Sequence, residues 1–175
     1  MMIILISSTA EPTSGWGAIT HHHCLALLRQ GVPFVLLLPK NAPRAQTEYS
    51  DRIKYLLPHL PLSFANFLEW PKIIRFWSSL KINAAPDSLV HSLVDFPYAV
   101  WGWYFAKKNK LPFIFNAAGS YSVAPFFRFP DRHLFLPVYK NARAIIAISQ
   151  FTAEKMVEAA GLQRKIEVLN LPPCK

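Results

Sequence analysis

Two short, wholly apolar runs separated by one helix-length stretch constrain this chain most. Met2-Ile-Ile-Leu-Ile-Ser7 has no room for a helical period and reads as a buried strand of a parallel sheet. Ser8 to Gly17 is a polar, turn-forming loop. Ala18 to Gln30 reads as a helix, with Leu25 and Leu28 on one side and Gly31 as its stop. Val32 to Pro39 returns as a second buried strand. That is a βαβ unit, and ligands of such sheets bind at the carboxyl ends of the strands. Gly15-Trp16-Gly17 falls at that end, where backbone N–H groups and the helix dipole can receive a phosphate. The same glycines also suit a tight strand-to-helix turn that needs them only for its backbone angles. Thr20 stands where G-x-G-x-x-G would place its third glycine, so there is no dinucleotide fingerprint.

The chain has 175 residues, enough for one domain with a full core. Its 52% hydrophobic content argues against disorder. No apolar run is long and clean enough to span a membrane. The nearest, Leu89 to Ala106, contains His91, Asp95 and Pro97. Met1 to Ile6 is too short for a signal peptide and lacks a basic flank. Cys24 and Cys174 form no C-x-x-C and no metal spacing, so reduced thiols of a cytoplasmic protein are the simplest reading. A net charge of +9 points to an anionic partner. There is no nucleic-acid motif, so a membrane surface or phosphorylated ligands rank above nucleic acid. A basic solvated face without a partner is the competing reading.

Further along, Lys40 to Ser50 reads as a loop and Arg52 to Leu57 as a short strand. Ser63 is placed to cap a helix over Phe64 to Lys81, interrupted by Pro71. Its Phe67, Trp70, Ile74 and Trp77 recur at helical steps beside Lys72, Arg75 and Lys81. Such a helix either dips into an anionic membrane or packs its aromatic stripe on the sheet. Ser88 to Leu93 reads as a strand, Pro97 to Asn109 as a helix and Leu111 to Phe115 as a strand. Asn116 to Ser122 is a loop at that strand's carboxyl end, and Val123 to His133 an aromatic and basic loop. A helix over Leu134 to Asn141 follows. Then come a strand over Ala144 to Ile148, Ser149 as N-cap, a helix over Phe151 to Ala160 closed by Gly161, and a last strand over Lys165 to Leu169. Strands alternate with helices, so the class is α/β with a parallel sheet of six or seven strands.

His21-His22-His23 resembles a metal tract, but consecutive helical residues point about 100° apart and cannot converge on one ion. No G-x-S-x-G and no P-loop occurs. His91 either points into the cleft or is a satisfied core histidine.

Three stretches, in order, match a known family. Gly15-Trp16-Gly17 with Leu27-Leu-Arg-Gln-Gly-Val32 resembles the glycine loop and first helix of GT-B glycosyltransferases. Asp87-Ser-Leu-Val-His-Ser92 resembles their D-hydrophobic-V-H strand. Ala144-Ile-Ile-Ala-Ile-Ser-Gln-Phe151, Gly161 and Lys165-Ile-Glu-Val-Leu-Asn170 resemble the end of the N-terminal domain in family 4 retaining glycosyltransferases.

The resemblance implies a Rossmann-like three-layer sandwich over residues 1–175, one half of a GT-B fold that holds the acceptor. It implies a donor-phosphate loop at Gly15, Trp16 and Gly17, and acceptor contacts from Glu11, Thr13, His91, Ser120 and Tyr121. Trp16 departs from the second glycine common there and either narrows the phosphate approach or stacks on a sugar. Asn116 occupies the catalytic position often held by histidine; it donates hydrogen bonds but takes no proton near neutral pH. No metal and no cofactor is implied; the nucleotide-sugar donor is a co-substrate bound mainly by a C-terminal domain. Asn170-Leu-Pro-Pro-Cys174 replaces the expected Pro-Asn-Gly, and that donor-binding half is expected to lie outside this chain. The implied partners are a sugar or glycolipid acceptor, the donor-binding domain or subunit, and an anionic membrane surface, without nucleic acid. The implied location is the cytoplasm or the inner membrane face. The implied product is a cell-surface polysaccharide or glycolipid. A non-catalytic subunit of a split enzyme, or a carbohydrate- or lipid-binding module, is the alternative; a dinucleotide enzyme ranks last.

Overall fold

The computed structural model describes residues 1–60 and 70–169. Its centre is β1 (Ile3–Ile6), whose four side chains are all buried. A strand covered on both faces needs apolar residues at every position, which this run supplies. Then follow α1 (Gly15–Arg29), β2 (Phe34–Pro39), β3 (Ile53–Leu57), α2 (Trp70–Ser79), β4 (Leu89–Ser92), α3 (Tyr98–Lys108) and β5 (Phe113–Ala117). The chain continues through α4 (Ser120–Val123), α5 (Asp131–Asn141), β6 (Ala144–Ala147), α6 (Gln150–Ala160) and β7 (Glu167–Val168). The sheet order is β3-β2-β1-β4-β5-β6-β7, and every pair is parallel. β1 thus pairs with β2 (Ile3 opposite Phe34) and with β4 (Ile3 opposite Leu89).

Alternation along β1 sends neighbouring side chains to opposite layers. Ile4 and Ile6 join Trp101, Phe105, Phe135 and Met156 in the larger core. Ile3 and Leu5 join Cys24, Tyr49 and the inner face of α1 in the smaller one. Burial pushes the Cys24 thiol up to about 12, so it stays protonated and acts as a small apolar side chain. Cys174 lies outside the described residues.

Several boundaries differ from the sequence reading, each for a local reason. α1 begins at Gly15 rather than Ala18, because Ser14 caps it. β5 runs through Asn116 and Ala117, which pair with Ile146 and Ala147, so Asn116 is a strand residue and not a loop residue. Ser120 opens a short helix. The supposed loop to His133 contains a 3-10 turn over Ala124–Phe127 and the first turn of α5, which starts at Asp131. Ser149 caps α6 through the Thr152 N–H at 3.2 Å, and Gly161 closes it at a φ of +67°, as the sequence predicts.

The aromatic helix is settled for its described part. Trp77 is fully buried, stacked 6.4 Å from Trp101 and beside Phe105, and Ile73 is buried with it. Trp77 and Ile73 pack on the core beside α3, whereas Trp70 is half-buried and Ile74 exposed, so only the Trp77 side of the stripe is unavailable to a membrane. The expected cap Ser63 and stripe residue Phe67 lie outside the described residues.

Candidate functional site

At the carboxyl edge the chain first folds back on the start of α1. The Ser14 hydroxyl donates to the Glu11 carbonyl at 3.2 Å and accepts from the Gly17 N–H at 2.9 Å. Gly17 is buried beneath this turn. A Cβ there would run into the Glu11 carbonyl oxygen, whereas one at Gly15 would meet open space. The close approach that Gly17 permits is therefore to the protein's own backbone. Gly15, Trp16 and Gly17 form the first turn of α1, and the cap engages the Gly17 N–H but not those of Gly15 and Trp16. Glu11 and Thr13 are exposed on the turn.

Beside that turn lies a cleft of about 220 Å³ lined by Ser8, Trp16, His59, Asp95, Tyr98 and Tyr121, among others. Ser8 follows β1, His59 follows β3, Asp95 follows β4 and Tyr121 sits on α4, so the ends of several strands converge here. Of the residues singled out by sequence, Trp16 and Tyr121 reach this cleft; Glu11, Thr13, Ser120, His91 and Asn116 do not line it.

Asp95 is the residue the sequence reading missed. It is buried, and its Oδ2 accepts from the Ser122 hydroxyl and, at 3.5 Å, from the Ala118 N–H. No cation pairs with it among the described residues. Burial pushes its carboxyl up to about 7, against the pull of these two hydrogen bonds. A carboxyl poised there can hold or release a proton near neutral pH. Its position just past a strand and just before a helix, at the ligand-binding edge, was the available signal.

His91 and Asn116 form a second, separate cluster, on the layer that faces α1. His91 is buried, and its Nε2 lies 2.9 Å from Asn116 Oδ1, with the His23 ring edge-on at 5.0 Å. Burial, and then the nearness of His23, push the His91 imidazole down to about 4, despite the bond to Asn116. The ring is neutral at physiological pH, so Nε2–H donates to Oδ1 and the Asn116 amide group keeps its own donors. His91 is thus the satisfied core histidine of the two readings. The histidine tract parts as helical geometry requires: His21 bonds the Tyr49 hydroxyl at 2.9 Å, His22 is exposed and His23 faces His91.

Residues 13–171 match the model of Glycosyltransferase Family 4. The chain belongs to that family. Among solved structures, it is similar to an alpha-glucosyltransferase in complex with UDP and a 13-mer DNA containing a HMU base. That likeness has a TM-score of 0.51 at 12% identity and covers 96% of this chain and 41% of the other. An S. aureus MnaA–UDP co-structure gives a TM-score of 0.49 at 16% identity, over 90% of this chain and 40% of that one. At such identities the likeness is one of fold. This family 4 chain spans about 40% of the length of those proteins. A comparison with curated proteins gives no match. The architecture is the Rossmann-like α/β half of a GT-B fold. Among the described residues, no helix is long and apolar enough to cross a membrane.

Proposed function

We propose that this family 4 domain holds the acceptor of a retaining, nucleotide-sugar-dependent glycosyltransferase, and that the cleft between Trp16 and Tyr121 is the acceptor site. The observation that carries this reading is the convergence of strand ends on an aromatic cleft in a chain of that family. Aromatic faces suit the C–H faces of a sugar ring, and a buried carboxyl suits its hydroxyls. Asp95 positions α4, and with it Tyr121, through Ser122 and Ala118. The donor's nucleotide belongs to a partner domain. The Gly15 and Trp16 N–H groups at the start of α1 approach its diphosphate. Glu11, Thr13 and Ser120 sit on the rim, where a longer acceptor extends. Asn116, outside this cleft and bonded to His91, takes no proton, and the leaving phosphate serves as the base. The product is a cell-surface polysaccharide or glycolipid.

Calorimetry on the chain alone tests the division of labour. No binding of a nucleotide sugar is expected, because a few neutral hydrogen bonds net about 1 kcal/mol each and the entropy of association cancels them. Micromolar binding would place the donor site in this half and overturn the reading. With a complementary donor half added, transfer is expected. Trp16→Ala and Tyr121→Ala should each then lower kcat/KM for the acceptor about tenfold, the loss of roughly one aromatic contact. Unchanged acceptor kinetics in both variants would remove the cleft from the mechanism.

A further inference from the structure

The cleft between Trp16 and Tyr121 does not share the charge of the molecule around it. The chain carries 19 Lys and Arg against 10 Asp and Glu. Other grooves reflect that surplus. Lys107 and Arg143 line the one beside Trp103, Arg164 and Lys165 the one between α6 and the segment before β7, and Lys155 the one beside Phe127 and Phe151. Among the described residues, no Lys or Arg lines the cleft. Residues 61–69, which follow Leu60 of its lining, contain none either. The ionisable groups that face it are His59 from the segment after β3, Asp95 from the corner after β4, Tyr98 from α3 and Tyr121 from α4. The loop after β1 and the start of α1 contribute only Ser8 and Trp16.

A helix N-terminus can make a cleft anion-binding without any cation, and α3 begins here. Its first turn offers little. Pro97 has no N–H, the Ala99 N–H bonds the Asp95 carbonyl at 2.8 Å, and the Val100 N–H bonds the Pro97 carbonyl at 3.1 Å. What this corner presents to a ligand is the Asp95 side chain. The two hydrogen bonds that reach its carboxyl from other residues, from the Ser122 hydroxyl and the Ala118 N–H, both fall on Oδ2. Oδ1 is the oxygen left for a ligand. In the neutral carboxyl the proton sits there, because Oδ2 accepts twice, and Oδ1 can then donate to or accept from a hydroxyl. The ionised carboxyl still accepts, but in a buried site it repels a second anion strongly.

We propose that Asp95 makes the cleft selective for an uncharged sugar ring, and that acceptors presenting a carboxylate or phosphate there are rejected. This rests on the acceptor reading and narrows it. A sugar hydroxyl pairs with Asp95 Oδ1 while Trp16 and Tyr121 take the ring. An acidic sugar in that position sets a second negative charge against a carboxyl with no lysine or arginine to bridge them. The net charge of +9 by itself predicts the reverse preference, since a positive field attracts anions. The sign of the preference therefore separates the local arrangement from the bulk charge.

NMR titration of the chain with the methyl glycosides of glucose, galactose and mannose, each against the matching uronate, tests it. The Trp16 indole N–H, assigned by its loss in Trp16→Phe, reports occupancy. At about pH 8 the neutral glycoside that binds best should bind about tenfold more tightly than its uronate. That ratio should fall towards about pH 6, where the carboxyl holds its proton and the uronate stays ionised. Asp95→Asn, which cannot ionise, should cut the ratio at the higher pH to about twofold. If that variant does not fold, the profile is measured in His59→Gln, which removes the other group able to titrate there. A ratio that still rises with pH then identifies Asp95, and a flat one overturns the inference. A ratio at or below one, or a ratio unchanged by Asp95→Asn, also overturns it and leaves the acceptor reading standing. No movement of the Trp16 signal with any of these sugars overturns both.

Discussion

The first turn of α1 and the corner between β4 and α4 lie on the same edge of the sheet and are built in opposite ways. The turn is local: Glu11, Ser14 and Gly17 meet within a few residues, and part of their hydrogen bonding is exposed to solvent. The corner is assembled across the fold. Asp95 and Ser122 are 27 positions apart and meet only because β4 and β5 are paired. The local element has shape and little titratable chemistry. The non-local one encloses a carboxyl that no sequence motif announces.

Four measurements test that contrast, starting with the largest effect. The Asp95 carboxyl titrates near 7 in the fold and near 4 in an unfolded chain, so the native state holds the extra proton between those values. Its contribution therefore makes stability fall as pH rises from about 4 to about 7, by up to about 4 kcal/mol. His91 acts with the opposite sign. It resists protonation in the fold down to about 4 but accepts a proton near 6.5 when unfolded, so its contribution makes stability rise over that interval. The two slopes oppose each other in the native sequence. Asp95→Asn should leave stability rising with pH and His91→Gln should leave it falling, read as denaturant midpoints across that range. Two flat profiles would mean that neither group is as buried as the structure has it.

Next, Gly17→Val should cost about 3 kcal/mol in denaturant unfolding, because the turn over α1 must move aside. A smaller loss than that of Ser122→Ala would show the local turn to be loose. Ser122→Ala should itself cost about 1 kcal/mol below pH 7, the net value of a hydrogen bond to the protonated carboxyl. It should also shift the Asp95 titration further upward, which NMR can follow. The smallest effect is expected at Gly15→Ala, a stabilisation of a few tenths of a kcal/mol. The added methyl meets nothing, and the position is helical.

What the sequence made legible follows from the range of the interactions involved. The strands of the sheet, the cap at Ser149 and the stop at Gly161 depend on apolar periodicity and on neighbours a few residues away, and all are found, with β5 two residues further along than its apolar run. The family was legible through the order of its motifs. The site was less so. Glycine spacing could not tell whether the close approach at Gly17 is to a ligand or to Glu11. Asn116 was read as a loop residue because the apolar run ends at Phe115, although hydrogen bonding to β6 carries the strand further. Asp95 was passed over because its burial is created by residues on α4 and β5, which its own neighbourhood in sequence does not contain.

The placement of β1 at the middle of the sheet has a consequence for synthesis of the chain. The strand made first, residues 3–6, needs partners at residues 34–37 and 89–92. A nascent chain shorter than this carries its most apolar segment with one edge unpaired, a template for association with other chains. Such a topology folds through contacts distant in sequence and is slow to close. Fragments ending between β2 and β4 should therefore aggregate on release, while those that include β4 should remain dispersed, a difference that light scattering on the two sets of truncations would register.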